Sequence, residues 1–167
     1  MNVLKAVWQF CSFLIILHGS RIMKSNTNRF FDTNMVIDKK ILDELSSQAK
    51  TTPRLRMALD LRNSPDDLSQ RLLNALEPGT VMPIHRHLET TETVVLLRGK
   101  VEWLFYDDSG NETERVLLDA NGEQRMINVE QDRWHSLVCL QSGSILFETK
   151  DGPYHPLTEK EILTIEK

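Results

Sequence analysis

Cysteine is scarce in this chain: two residues in 167, Cys11 and Cys139, far apart and in no CxxC pattern. That argues against a disulfide framework and against a cysteine-based zinc site, and it fits a reducing compartment. An excess of positive charge is also missing. Lys and Arg number 20 against 24 Asp and Glu, a net charge of −4, which gives no basic footprint for nucleic acid. No apolar run is long enough for a membrane span, the longest ending at Leu17. There is no internal repeat and no low-complexity tract. What remains is 40% hydrophobic and 26% charged, the balance of an ordinary globular protein, at a length that suits one domain with a core of its own.

The first 34 residues stand apart. Residues 1–20 carry one lysine, the apolar run, then small residues. One reading is a signal peptide with a weak basic start and no clean small-x-small cleavage site, which implies export. The other is that translation starts at Met35 or Met23, and that a cytoplasmic protein follows. Regular patterning begins at Met35, which favours the second. Residues 21–34 are polar and patternless, so residues 1–34 are expected to be a leader or a disordered extension, and His18 is given no role.

From Met35 the pattern is regular. Ile37, Ile41, Leu42, Leu45 and Ala49 recur at helical spacing, Asp38 is placed to cap the helix, Lys50 suits its far end, and Thr51-Thr52-Pro53 stops it. Leu55, Met57, Leu59 and Leu61 alternate with polar neighbours and predict a half-buried strand. Ser69–Glu77 fits a helix or a strand equally. Beyond Gly79 the text is β: Val94–Leu97, Lys100–Tyr106, Glu112–Leu118, Arg125–Val129, Trp134–Leu140 and Ile145–Thr149, separated by turns such as Asp107–Asn111 and Asn121-Gly122. Such spacing predicts an antiparallel sandwich or barrel. A loop covers Asp151–Pro156, and a short helix is expected over Glu159–Lys167.

The chemistry concentrates between Gly79 and Gly99, GTVMPIHRHLETTETVVLLRG. His85 and His87 are one residue apart, so in an extended strand both imidazoles face one side. Glu92 follows a short polar stretch. Two nitrogens and one carboxylate form a donor set for a divalent metal. A lone His-x-His is weak evidence, because exposed strands often carry polar residues at alternate positions.

The full spacing is more specific. Gly79, His85, His87, Glu92 and Gly99 resemble the first motif of the cupins, and His135, with Gly122 upstream, resembles the second. The second match is partial: Glu130, Asp132 and Cys139 stand where the family pattern has proline, glycine and asparagine. More narrowly, PRLRM (53–57), QRLLNALEPGT (70–80), PIHRH (83–87), ETTETVVLLRG (89–99) and KDGPYHPLTEKE (150–161) resemble the WbuC-type cupin-fold metalloproteins. The resemblance implies a mainly β, single-domain antiparallel barrel or jelly roll over residues 35–167, with a short N-terminal helix and a barrel core about 70–150. It implies a strand at Gln70–Glu77, and a homodimer paired through sheet edges. It also implies His85, His87, Glu92 and His135 as ligands of one divalent ion (Fe, Mn, Ni, Co or Zn), and an association with bacterial surface-polysaccharide gene clusters.

Other candidates are softer. Glu102 and Tyr106 share one face of a strand, with Trp103 on the other; the first two could act as acid or base, the tryptophan could stack on a sugar. Arg54 and Arg56 could meet a phosphate or carboxylate, although a solvated outer face is the plainer reading. Glu89 competes with Glu92 as ligand, and the spacing favours Glu92. His155 is read as an exposed loop residue. Two functions are therefore expected: a metalloenzyme acting on a sugar or small polar metabolite, or a non-catalytic metal- or sugar-binding module.

Overall fold

The computed structural model describes residues 35–165. The leader readings, Cys11 and His18 lie outside the described residues. Among those described, no helix is long and apolar enough to cross a membrane.

The helix α1 spans Lys39–Thr51, and the carboxylate of Asp38 accepts the Ile41 N–H at 3.0 Å as its cap. Eight strands follow: β1 Arg56–Asp60, β2 Ser69–Leu76, β3 Glu92–Arg98, β4 Lys100–Tyr106, β5 Glu112–Asp119, β6 Met126–Val129, β7 His135–Cys139 and β8 Ser144–Asp151. The ambiguous stretch at Ser69 is thus a strand. The strands form a five-stranded sheet in the order β1-β2-β8-β3-β6 and a three-stranded sheet in the order β5-β4-β7, and every pairing is antiparallel.

Period-two alternation decides what each face buries. On the larger sheet Leu76, Leu146, Val94 and Leu96 face inward and meet Val101, Trp103, Phe105, Leu118, Leu137 and Cys139 of the smaller one. The opposite face of the larger sheet, with Leu73, Ala75 and Ile145, is covered by Leu45 and Ala49 of α1. Each fully buried Leu, Ile or Val contributes about 1.5–3 kcal/mol relative to exposure. Arg98, at the end of β3, fastens the helix further: it donates to Asp43 Oδ1 at 2.6 Å and to the Leu42 carbonyl at 3.0 Å.

The tail corrects an expectation. Glu159–Glu161 is a single 3-10 turn, closed by a capping box between Thr158 and Glu161, and not the start of a helix running to Lys167. After it the chain is extended. The Leu163 N–H donates to the Ile84 carbonyl at 2.9 Å, and the Arg86 N–H donates to the Glu161 carbonyl at 3.0 Å. Backbone groups there are satisfied by pairing with the histidine-bearing segment, so the helix has no advantage.

Candidate metal centre

The segment 81–91 is extended but joins no regular ladder. His85 is held instead by two isolated bridges, to His135 on one side and Ile162 on the other. His85 and His135 exchange both backbone bonds, at 2.9 and 2.8 Å, which sets their rings 4.3 Å apart. The His87 ring lies 5.1 Å from that of His85 and nearly perpendicular to it, so the two imidazoles converge rather than stand side by side on one strand face. Glu92, the first residue of β3, completes the group. Its Oε2 is 3.3 Å from His135 Nε2 and 3.6 Å from His87 Nε2. One donor atom from each of the four residues lies within 4.8 Å of the others.

The donor set fits a metal. His85 Nδ1 lies 3.1 Å from the Pro83 carbonyl, and His135 Nδ1 lies 2.8 Å from the Arg133 carbonyl. A carbonyl only accepts, so each Nδ1 carries the proton and each Nε2 presents a lone pair. Backbone carbonyls orient metal-ligating histidines elsewhere in this way. His135 Nε2 is buried without a hydrogen-bond partner, and the atom facing it is a carboxylate oxygen. Two acceptors set against each other are stable only with a cation between them, either a metal or an added proton.

Burial keeps the His85 and His87 rings neutral. Burial, with the neighbouring His135 adding to it, pushes His85 down to about 3. Burial also lowers His87. Burial alone would raise Glu92, but the Lys150 ammonium, together with the adjoining His135 and His87 rings, outweighs it and holds the carboxyl well below its ordinary range. At neutral pH His85, His87 and Glu92 are thus in the protonation state that metal ligation needs.

The remaining sequence candidates lie elsewhere. Glu102 is on the outer face of β4 and pairs with Arg115 at 2.5 Å. Tyr106 is also off the inner face, near Glu112 and Arg115. Neither joins the cluster. The inward face of β4 is that of Val101, Trp103 and Phe105, because it is the apolar one. Trp103 is 3% exposed and stacks on the His135 ring at 5.7 Å and 15°, so it packs behind one of the clustered histidines with little surface left for a sugar. Arg54 is exposed, and Arg56 places its guanidinium against Met82 Sδ. Glu89 and His155 are exposed and outside the cluster.

Sequence reasoning missed three neighbours of the site. Lys150 stands directly across from Glu92 on β8 and donates to its Oε1 at 2.9 Å. Glu148, two residues earlier and so on the same face, is buried and accepts from Asn74 Nδ2 at 3.0 Å. Burial, then the Glu92 charge, pushes the Glu148 carboxyl up. The alternation Leu146, Glu148, Lys150 carried the signal, two charges on an inward face. Arg86, the residue between the histidines, is a clasp: it pairs with Asp132 at 2.9 Å, lies 4.2 Å over the Trp134 ring and donates to the Lys160 carbonyl.

Solved structures share this architecture. CapF, determined with the inhibitor 3-isopropenyl-tropolone, matches with a TM-score of 0.50 at 16% identity over 59% of this chain. The fold is a cupin jelly roll. The chain spans only 28% of the CapF chain. KdgF from Halomonas sp. matches with a TM-score of 0.49 at 15% identity, covering 62% of this chain and 85% of that one. The cupin domain of Schizosaccharomyces pombe Cnp3 matches with a TM-score of 0.45 at 13% identity, covering 58% and 64%. Residues 37–118 match a family described as a domain of unknown function (DUF6016). No curated protein sequence matches the chain.

Proposed function

We propose that this cupin is a WbuC-type metalloenzyme of the cytoplasm that acts on a sugar or other small polar metabolite in bacterial surface-polysaccharide biosynthesis. The observation that carries the metal reading is the unpartnered His135 Nε2 facing Glu92 Oε2 inside a cluster of three histidines and one carboxylate. His85, His87, Glu92 and His135 would hold one divalent ion. When bound, such an ion supplies Lewis acidity, or activation of dioxygen if it is iron. The polysaccharide context rests on the sequence resemblance, above all the stretches at 70–80, 83–87 and 150–161.

Elemental analysis of the purified full chain tests the site, beside a His85→Ala/His87→Ala variant. Near-stoichiometric metal in the parent, lost in the variant, is the expected result. A folded parent that takes up no metal from Fe(II), Mn(II), Ni(II), Co(II) or Zn(II) would sink the metalloprotein reading.

A second reading is favoured by one observation. Glu102 and Tyr106, either of which the sequence offers as an acid or base, lie away from the cluster. A metal-holding or sugar-binding module without turnover needs no such pair. The cobalt-loaded protein separates the two by its visible spectrum: exchangeable water ligands favour the enzyme, and a closed tetrahedral site favours the module.

A further inference from the structure

Glu92 uses its two oxygens differently. Oε2 faces the imidazoles of His87 and His135, whereas Oε1, at 2.9 Å, accepts from Lys150 Nζ. Lys150 therefore occupies the second oxygen and leaves Oε2 for a metal. Its only other hydrogen-bonding contact described is His87 Nε2, at 3.3 Å. That nitrogen gives up its lone pair when it ligates.

An ammonium has three N–H donors. With the metal in place, Glu92 Oε1 keeps one, the second loses His87 Nε2, and the third has no acceptor among the contacts described. The side chain of Lys150 is 13% exposed, so little water reaches it. A buried donor without a partner is costly, and a buried positive charge beside a divalent ion is more so. Glu148, the other charged group on this stretch of β8, is already engaged with Asn74 at 3.0 Å. An ion taking six ligands, four of them from the protein, has two left for others.

From this arrangement, and resting on the metal reading above, we infer that Lys150 selects a carboxylate-bearing ligand at the metal, its ammonium holding one oxygen of the ligand while Glu92 is kept to a single oxygen. One ammonium matches one carboxylate oxygen, whereas a phosphate dianion calls for more donors than a single lysine offers. A neutral polyol adds no negative charge to a site where a divalent ion and the Lys150 ammonium share the Glu92 carboxylate. The ligand class is therefore a small chelating acid, such as a 2-hydroxy or 2-oxo acid, including a sugar acid.

The test uses the cobalt-loaded full chain and two variants, Lys150→Met and Lys150→Gln, the second keeping a donor for Glu92 Oε1 without the charge. Glycolate and the neutral diol ethylene glycol are titrated while the visible cobalt bands are followed, and metal content is measured in each sample. The parent is expected to bind glycolate. Lys150→Gln is expected to hold one cobalt and to bind glycolate at least tenfold more weakly, with ethylene glycol unchanged. A metal-loaded parent that binds no glycolate overturns the inference alone. So does equal glycolate affinity in the parent and a metal-loaded variant. Loss of cobalt from both variants also overturns it, and makes Lys150 a positioning residue for Glu92. A parent that holds no cobalt fails earlier, at the metal site itself, and takes this inference with it.

Discussion

His85 is a histidine that its surroundings keep from charging. In the unfolded chain its ring titrates near 6.5, and in the fold burial has pushed it down to about 3. Above pH 6.5 neither state is protonated and the ring contributes no pH dependence. Below it the unfolded state takes a proton that the native state refuses, so stability falls by about 1.4 kcal/mol per pH unit from this one group. His87 acts in the same direction. Glu92 acts in the same direction but at lower pH: its lowered carboxyl stabilises the fold above about 4.5, and that is lost as pH drops through the depressed folded value. Between pH 6.5 and 5 the histidines govern. The urea midpoint of the metal-stripped protein is expected to fall over that interval, and to fall less steeply in His85→Gln; a midpoint that does not move would contradict it. At this scale the sequence was legible where spacing fixed the residue, as at His85, His87 and Glu92. Lys150 was hidden because the last strand was read as stopping at Thr149, one residue short of it. Asp132 stands where the cupin pattern has glycine. In the structure it takes the left-handed conformation itself, at φ 63°, which aspartate adopts more readily than most residues, and its N–H reaches the His87 carbonyl at 2.7 Å.

Among the elements, the turn from β3 to β4 is the least forgiving. Gly99 sits at φ +87°, and a Cβ there would come within 2.2 Å of Ser144 Oγ and 2.7 Å of Ser144 Cα. The backbone atom cannot swing away as a side chain can. Gly99→Ala combines left-handed strain of about 1–2 kcal/mol with overpacking of about 1–3 kcal/mol. A loss of about 2–5 kcal/mol is expected in chemical denaturation, and a loss under about 1 kcal/mol would show that the turn can rearrange. The cap at Asp38 and the alternation in β4 could be read from sequence because one local interaction decides each. The Ser69 strand could not. It is central, with α1 on one face and the smaller sheet on the other, so Leu72, Leu73, Ala75 and Leu76 leave no polar alternation to read. The tail helix failed for a different reason: the partner of Leu163 is Ile84, nearly eighty positions away, and no local pattern announces it.

On the scale of the whole molecule, two apolar layers meet at the larger sheet, and the four donor atoms gather at the end of the inner layer. The sandwich was legible as a succession of short strands between turns. Its strand order was not, since β8 lies between β2 and β3 only by long-range pairing. The doubly bridged His85 segment gives this order a kinetic consequence. His85 cannot leave its place without parting from both His135 and Ile162, so the stretch around Ile162 and the four clustered side chains should open as one cooperative unit. An ion that cross-links His85, His87, Glu92 and His135 binds only the closed unit, and it should slow the opening of every amide in it. Hydrogen exchange at the Leu163 amide would then report on metal binding from a residue that never touches the metal: its protection should rise with added metal, in step with that of Arg86 and His135. Independent protection of Leu163 would show that the tail comes and goes without disturbing the ligands, and that the site is held by β3 and β7 alone.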